Sequence, residues 1–277
     1  FEARTGIPVR NILGMTECAG LLTIEPFAAP RVPGSTGLRL PHTEVRVVPW
    51  RDGMARLDES CPTGSTGVIV VRGPHVSPGY SDPARNAGMF EGGWLVSGDL
   101  GHLDAQGYLH VTGRAKDVII RGSHNIDPGL VEDAFLAHPQ VALCAVVGEP
   151  DAYAGEVPVA FVTLRPGCEA DPAALLADVA PRVYERPAVP KRVTVLPALP
   201  VTAIGKVYKP ALRLMAIETR LREDLAALGQ PVAVTAQERG GTLVAVVASP
   251  AHADAAWRSA VQAQLGAMAV QLEFTPG

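Results

Sequence analysis

Four short polar segments of this 277-residue sequence hold candidate reactive side chains, and the first is Gly14-Met15-Thr16-Glu17. A carboxylate is a hard oxygen ligand for Mg²⁺, and a neighbouring hydroxyl can donate to a phosphate oxygen. Taken alone, a Thr-Glu pair after an apolar run is more often a capping or surface pair. A role in metal and phosphate binding therefore needs partners further along the chain.

The second segment places Asp99 directly after a glycine at the end of an apolar run that begins at Trp94. A carboxylate has four lone-pair sites, enough to accept hydrogen bonds from two vicinal ribose hydroxyls. An Asx-turn that caps the end of a strand explains the same aspartate. Both interpretations stay open on this segment alone.

The third segment, Gly-Arg-Ala-Lys-Asp at residues 113–117, lies between two apolar strands. Polar residues between domains usually form a solvated linker. The alternative is a hinge, because a few loop residues can absorb the dihedral change when one domain reorients over another.

The fourth segment, residues 200–209, is a turn-rich loop that presents Lys206 just before a predicted helix. A lysine is a compact, mobile cation that can hold a carboxylate and a phosphate near each other and stabilise developing charge. A Gly-Lys pair is more commonly a helix C-cap followed by a surface residue. The G-x-x-x-x-G-K-[ST] spacing of a phosphate-binding P-loop is absent.

The elements that must position these segments change in character along the chain. Before residue 112, β-branched runs at 44–48, 67–72 and 107–111 alternate with Gly, Pro, Asp and Ser clusters, which predicts a small barrel or folded sheet. From residue 118, strands alternate with helices. The predicted elements are a strand at 118–120, a helix at 128–138 with Asp127 as N-cap, strands at 141–147 and 157–164, and a helix from Asp171 to about Val183.

The last section predicts a further small α/β arrangement. Helices are expected from Ala211 to about Leu228 and from about His252 to Met268, and strands at 232–236, 242–248 and 270–274. No sequence repeat with a period of 20–50 residues is found.

Composition narrows the classes of function. With 24 Lys+Arg and 28 Asp+Glu residues the formal charge is −4, so no basic field is available for a nucleic acid. The four cysteines are far apart and form no C-x-x-C pair, which is typical of reduced thiols and predicts a cytoplasmic location. No apolar run approaches the length that spans a membrane.

In their order and separations, the four segments resemble those of the adenylate-forming (AMP-binding) superfamily of acyl-CoA synthetases, peptide-synthetase adenylation domains and luciferases. Three further segments, at residues 34–37, 70–74 and 79–80, also resemble it, and the similarity covers about residues 5–213. The chain is most like the C-terminal part of an acyl-CoA synthetase or fatty-acid–CoA ligase. This implies a ligase of fatty acid metabolism that uses ATP, Mg²⁺ and coenzyme A.

The resemblance implies a mixed α/β and α+β fold with a definite order of parts. Residues 1–112 would form the β-rich, barrel-like end of the large AMP-binding domain, followed by a hinge at 113–117. A small α+β lid domain would occupy 118–210. A helix-strand extension would occupy 211–277, with homo-oligomer formation as one role for it.

The resemblance also implies a role for each candidate residue. Thr16 would contact phosphate and Glu17 would help to hold Mg²⁺, with Gly14 and Met15 in the same nucleotide-binding loop. Asp99 and Arg114 would hold the ribose. Lys206 would bridge the acyl carboxylate and the α-phosphate. Lys116 would occupy the hinge, and Gly122 and Ser123 would lie near the pantetheine channel of CoA.

Three departures from the family pattern matter. Leu13 stands where an aromatic residue usually lies beside the adenine, so only apolar contact would remain there. Ser123 replaces a glycine, and its hydroxymethyl group would narrow the thiol channel. The phosphate loop and most of the acyl pocket, which the family carries upstream of Gly14, are absent, so the missing N-terminal half is an expected partner.

These departures set the expectations for function. The chain by itself is expected not to adenylate, and the carboxylic acid substrate is expected to be fatty or otherwise hydrophobic. Two alternatives stay open: an amino-acid-adenylating domain, and a non-catalytic fragment that kept the lid fold and binds a partner. Gly240-Gly241-Thr242 lacks the serine of a carrier-attachment site, which disfavours the first of these.

Overall fold

The computed structural model describes residues 1–51, 53–122, 124–226, 233–239, 242–249, 255–265, 268 and 270–276. The chain forms two compact units, Phe1–Lys116 and Asp117–Gly277. The division between them falls within the interval 113–117 that the sequence suggests as a hinge. Its role as a hinge stays a prediction.

The first unit consists of short strands with one short helix. Its elements are α1 (Glu2–Thr5), β1 (Ile12–Leu13), β2 (Thr23–Ile24), β3 (Leu38–Arg39), β4 (Glu44–Val48), β5 (Trp50–Arg51), β6 (Met54–Ala55), β7 (Gly67–Arg72), β8 (Phe90–Glu91), β9 (Trp94–Leu103) and β10 (Leu109–Arg114). Strands β10, β9, β7 and β4 form one antiparallel sheet in that order, with β8 paired to β9. The strands predicted at 44–48 and 67–72 are therefore confirmed, and the third begins two residues later and runs on to Arg114.

The core of the first unit also anchors the loop that contains Thr16 and Glu17. Cys18 and Leu22 are buried with Ile69 of β7 and Leu95 of β9. Burial of four consecutive β7 residues, 68–71, explains why this strand is a continuous run of Val and Ile rather than an alternating pattern. The loop therefore has a fixed base on the central strands.

The second unit contains the remaining elements. They are β11 (Ile119–Arg121), β12 (His124–Ile126), α2 (Pro128–Leu136), β13 (Val141–Asp151), β14 (Gly155–Leu164), α3 (Pro172–Val179), β15 (Val193–Val195), α4 (Lys209–Ala226), β16 (Val234–Arg239), β17 (Thr242–Ser249), α5 (Ala255–Leu265) and β18 (Gln271–Pro276). The mixed α/β and α+β class expected from the sequence is confirmed. The predicted boundaries at Leu228, Val232 and His252 lie outside the described residues.

Local signals fix the starts of α2 and α3. The Asp127 carboxylate accepts the N–H of Gly129 at 2.9 Å, and the Asp171 carboxylate accepts that of Ala174 at 2.8 Å. Each helix begins with a proline at its first position. The predicted end of the second helix, at Val183, is wrong: α3 stops at Val179 and a 3-10 turn follows, because Pro181 has no N–H to continue the α-helix.

Helix α4 belongs to two hydrophobic cores. Leu212 and Ala216, in its first half, pack against the β13–β14 face that carries Val159 and Phe161. Ile217, Leu221 and Leu225, in its second half, pack on strands β16–β18 and helix α5. The second unit is therefore continuous through α4.

The second unit also contains a structural repeat. The series α2-β13-β14-α3-β15 and the series α4-β16-β17-α5-β18 occupy ranges of equal length, 128–195 and 209–276. In each series the first two strands are antiparallel and the third pairs parallel to the second. The middle strands share a sequence pattern, Val159-Ala-Phe-Val162 and Val244-Ala-Val-Val247. Each copy is longer than the sequence repeats of 20–50 residues that are typical of repeat proteins.

The shared helix leads to a stability prediction. Leu221→Ala removes a fully buried side chain from α4 and should lower the free energy of unfolding by about 2–5 kcal/mol, because a cavity remains. Urea unfolding followed by circular dichroism measures this. Met215→Ala, on the exposed side of the same helix, is the control and should change the free energy of unfolding by about 0.5 kcal/mol or less. Equal losses in the two variants would contradict the assignment of Leu221 to the core.

Candidate active site

The Gly14 loop is closed by a very close approach of two backbone segments. A Cβ atom added at Gly14 would lie 1.6 Å from the carbonyl oxygen of Gly20, so no other residue fits here. The Leu22 N–H donates to the Leu13 carbonyl at 2.8 Å, and the Gly20 N–H donates to the Met15 carbonyl at 3.1 Å. The closure places residues 16–18 in a 3-10 turn with Thr16 exposed.

Met15 and Leu13 lie differently from Thr16. Both are partly buried and pack against the core that contains Cys18 and Ile69. These two side chains therefore help to hold the loop in place. The predicted nucleotide-binding role of Gly14, Met15 and Thr16 stays a prediction.

Glu17 is fastened to a segment more than sixty positions later. The Tyr80 hydroxyl donates a hydrogen bond to Oε1 of Glu17, and the Ser77 N–H donates to the Glu17 backbone carbonyl at 2.8 Å. The Tyr80 hydrogen bond is the main cause of a lowered Glu17 pKa, and the positive charges of Arg114 and Arg85 lower that pKa further. The carboxylate is therefore kept ionised, as a cation ligand must be.

Tyr80 is itself held on several sides. The Asn86 amide accepts the Tyr80 N–H at 2.7 Å and donates to the Tyr80 carbonyl at 3.2 Å. The Arg85 guanidinium lies 4.5 Å from the centre of the tyrosine ring, and Phe90 packs against the ring edge. Sequence reasoning noted the Gly79-Tyr80 pair only as similar to a family and gave Tyr80 and Arg85 no role. No local pattern links them to Glu17.

A bulge in β9 sets the position of Asp99. Between the pairs Val70–Val96 and Val68–Leu100, a longer stretch of β9 lies opposite a shorter stretch of β7. Gly98 has a φ of 72°, a left-handed conformation that suits glycine. Ser97 donates to the Ile69 carbonyl at 2.8 Å and accepts the Asp99 N–H at 3.0 Å. The Ser-Gly-Asp sequence is thus an irregular point inside a strand and not the end of one.

Asp99 and Arg114 form an ion pair across strands β9 and β10. They are direct partners in the ladder, and Nη1 of Arg114 lies 2.7 Å from Oδ1 of Asp99. The aspartate side chain is 7% exposed and the arginine side chain 50%. The Arg114 charge also lowers the pKa of Glu17. All three of these predicted residues belong to the first unit.

Lys206 lies in the second unit, in a small hairpin-like loop directly before the Val201–Val207 bridge. Val201 and Val207 form an antiparallel bridge, and the Thr202 N–H donates to the Lys206 carbonyl at 2.7 Å. Gly205 takes a φ of 78°, and the Thr202 hydroxyl accepts the Lys206 N–H at 3.2 Å. The loop is ordered by its own hydrogen bonds and leaves Lys206 exposed. The alternative interpretation of Gly205 as a helix C-cap does not hold, because Gly205 precedes α4 and does not end a helix.

A cavity of about 840 Å³ lies within the second unit, beside Gly122. Its lining includes Arg121, His124, Ala154 and Arg186. The Gly122 N–H donates to the Ala154 carbonyl at 2.7 Å, which fixes the turn after β11. Ser123, the other residue predicted near the CoA channel, lies outside the described residues.

Lys116 is exposed and lies in the 3-10 turn Ala115–Asp117. It is the last residue of the first unit, and its predicted place at a hinge stays a prediction.

Among the described residues, no group of three or more His, Cys, Asp or Glu side chains is arranged to hold a metal ion. A nucleotide-bound Mg²⁺ needs only one or two carboxylates besides phosphate oxygens and water, so the ionised Glu17 fits that ion. In the same part of the chain, no helix is long and apolar enough to cross a membrane.

Comparison with known proteins supplies family matches in both units. Residues 1–81 match the family described as AMP-binding enzyme, and residues 130–206 match the AMP-binding enzyme C-terminal domain. A marinolic acid–CoA ligase from Pseudoalteromonas sp. (strain SANK 73390) is 39% identical over 229 residues, which cover 82% of this chain and 35% of that ligase.

Solved structures give the same result. The ATP-bound MatB from Rhodopseudomonas palustris is 34% identical, with a TM-score of 0.68 over 76% of this chain and 41% of that one. The O-succinylbenzoate coenzyme A synthetase from Bacillus subtilis, in complex with ATP and a magnesium ion, is 33% identical, with a TM-score of 0.60 over 74% of this chain and 41% of that one. The chain thus spans well under half the length of the relatives that it matches.

Proposed function

Because this chain belongs to the adenylate-forming family of AMP-binding enzymes, we propose that it supplies the C-terminal part of an ATP-dependent acyl-CoA synthetase. The observation that carries the proposal is the Asp99–Arg114 ion pair, which joins two separately predicted segments. The same arginine lowers the pKa of Glu17, which belongs to a third segment. In the proposed reaction a carboxylate oxygen attacks the α-phosphorus of ATP and pyrophosphate leaves. The CoA thiolate then attacks the acyl carbon, and AMP leaves.

For the first step, the first unit would bind the nucleotide. Asp99 would accept hydrogen bonds from the ribose hydroxyls, with Arg114 holding the carboxylate in place, and the exposed Thr16 hydroxyl would donate to phosphate. Glu17 would bind Mg²⁺, which neutralises charge on the phosphate oxygens when it is present. Lys206 would hold the substrate carboxylate near the α-phosphate and stabilise the negative charge that develops there.

Lys206→Ala tests this division of roles in the complete enzyme. Acyl-adenylate formation should fall by about 10²–10³-fold, because the cation that stabilises the developing charge is lost. Thioester formation from preformed acyl-adenylate should continue at nearly the wild-type rate. Pyrophosphate release and CoA-thioester formation measure the two steps separately. Lys191→Ala is the control and should leave both steps near the wild-type rate. It removes a lysine whose Nζ lies 3.6 Å from Oδ2 of Asp151. Equal loss of both steps in Lys206→Ala would count against the assignment.

For the second step, the cavity beside Gly122 is our candidate site for CoA. Arg186 is exposed and lines the cavity, so its guanidinium is able to meet a phosphate group there. Arg121, also in the lining, donates to the Pro187 carbonyl at 2.5 Å and therefore helps to shape the wall. Gly122 and Ser123 would lie along the pantetheine, as the family resemblance implies.

Arg186→Ala should raise the KM for CoA about tenfold, the effect of losing one charge-assisted hydrogen bond. The rate of acyl-adenylate formation should not change. Steady-state kinetics with CoA as the varied substrate, beside a pyrophosphate-release assay, measures both quantities. Arg182→Ala removes a nearby exposed arginine that is outside the cavity lining, and it should leave both unchanged. An unchanged KM for CoA in Arg186→Ala would remove the cavity from the proposal.

We further propose that these 277 residues require the rest of an AMP-binding enzyme for activity. The chain spans 35% and 41% of the compared relatives, and residues 1–27 expose several large apolar side chains, including Phe1, Ile7, Ile12 and Phe27. A surface of this kind is typical of an interface. The missing N-terminal half of such an enzyme, with its phosphate loop and acyl pocket, would cover it.

Assay of the 277-residue polypeptide alone tests this requirement. Incubated with ATP, Mg²⁺ and a panel of fatty and other hydrophobic acids, it should release no pyrophosphate above the level without acid. The complete enzyme under the same conditions is the positive control. Acid-dependent release by the polypeptide alone would overturn the proposal.

The acid substrate, the cellular location and the oligomeric state are proposals too. A fatty or other hydrophobic acid as substrate and a cytoplasmic location are our preferred assignments, and assembly into homo-oligomers through residues 211–277 stays a prediction. Two of the three compared proteins are a CoA ligase and a coenzyme A synthetase by name, which favours CoA as the thiol over a carrier protein. ATP–pyrophosphate exchange with amino acids but not with fatty acids would favour the amino-acid-adenylating alternative. A native protein without an upstream half would favour a non-catalytic interaction fragment.

A further inference from the structure

We propose that Tyr80 is a positioning residue, whose hydroxyl holds the Glu17 carboxylate in the orientation that binds the nucleotide's Mg²⁺. The inference rests on the proposed function, because it takes Glu17 as the magnesium ligand. It adds a residue to which the sequence analysis assigned no role.

The direction of the Tyr80 side chain is set by its backbone. The Asn86 side-chain amide accepts the N–H of Tyr80 and donates to the Tyr80 carbonyl, so it pairs with this backbone as a neighbouring strand would. Asn86 also closes the space beside Gly79, where an added Cβ would lie 3.0 Å from the amide nitrogen. The segment that presents the phenol therefore has little freedom to turn.

The ring is fixed by two further contacts. Phe90 packs against it edge to face, with ring centres 5.9 Å apart. The Arg85 guanidinium lies over its face, 4.5 Å from the ring centre, in a cation–π arrangement. Arg85 follows Asp82, whose carboxylate accepts the Ala84 N–H at 3.1 Å and so caps the 3-10 turn that presents the arginine.

The local charges explain why Glu17 needs such a partner. The positive charges of Arg85 and Arg114 both act on Glu17, yet in the described part of the chain neither guanidinium forms an ion pair with it. Arg114 is engaged by Asp99, and Arg85 lies on the Tyr80 ring. The hydroxyl occupies Oε1 of Glu17 and leaves Oε2 for a cation. Without the hydroxyl, the carboxylate would be free to turn towards an arginine.

Tyr80→Phe is the direct test, because phenylalanine keeps the ring for Arg85 and Phe90 and removes only the hydroxyl. In the complete enzyme, the KM for Mg²⁺ in acyl-adenylate formation should rise about tenfold, and kcat at saturating Mg²⁺ should stay within about twofold.

A second readout does not depend on activity. Isothermal titration of Mg²⁺ into the complete enzyme, in the presence of a non-reactive ATP analogue, should show a Kd about tenfold higher in Tyr80→Phe than in the unaltered enzyme. Tyr108→Phe, a half-buried tyrosine of the same unit, is the matched control and should leave both the KM and the Kd for Mg²⁺ unchanged. An unchanged KM for Mg²⁺ in Tyr80→Phe would overturn the proposal, as would an unchanged Kd.

Glu17→Gln separates failure of this inference from failure of the proposed function. If Glu17→Gln leaves the Mg²⁺ dependence unchanged, Glu17 is not the magnesium ligand and both proposals fall. If Glu17→Gln raises the KM for Mg²⁺ and Tyr80→Phe does not, only the role of Tyr80 falls.

Discussion

The ion pair between Asp99 and Arg114 is the constraint on which the candidate nucleotide site depends. A carboxylate whose side chain is 7% exposed loses most of its hydration. For an unpaired charge, the free-energy cost of that loss would be too large for a small folded unit to offset. The guanidinium 2.7 Å away offsets this cost. Asp99 lies opposite Arg114 because the β9–β10 register shifts between Val111 and Gly113 of β10. The strand register of the sheet therefore also determines how charge is arranged in the site.

The position of the Gly14 loop also depends on contacts between distant segments. Glu17 lies within the influence of Arg114, and it reaches that place only because Gly14 lets the backbone pass the Gly20 carbonyl. The loop is anchored below by Cys18 and Leu22 and held above by Tyr80. Buried apolar side chains fix its base and one charge-assisted hydrogen bond fixes its tip. The position of the Gly14 loop therefore depends on steric, apolar and polar interactions together.

Sequence reasoning predicts those features that short-range patterns determine. The N-caps at Asp127 and Asp171, the β-branched strands β4 and β7, and most of the order of helices and strands in the second unit follow from local chemistry. The three-residue strands β12 and β15 are not predicted by it. The misplaced end of α3 shows the limit of periodicity, because the apolar pattern continues past a proline that the backbone cannot accommodate in a helix.

Contacts between distant segments could not be predicted in the same way. The candidate residues Glu17, Asp99 and Arg114 follow from motif order, but the pairing of Asp99 with Arg114 depends on strand register. The link between Tyr80 and Glu17 has no periodic signature, since an Asn86 amide in a turn directs the phenol. The repeat in the second unit is visible mainly in the sense of strand pairing, because only a four-residue pattern survives in the sequence.

The sharing of α4 between two cores sets how the second unit can move. If residues 118–210 rotate about a hinge at 113–117, as the family resemblance implies, α4 would move with them, because Leu212 and Ala216 are buried against β13 and β14. The last strands would follow, because Ile217, Leu221 and Leu225 of the same helix form their core. Separating the two parts would expose one of these faces to water, at about 25 cal/mol for each Å² of apolar surface. The extension is therefore part of whatever motion the lid performs, and any partner bound to it would move with the lid.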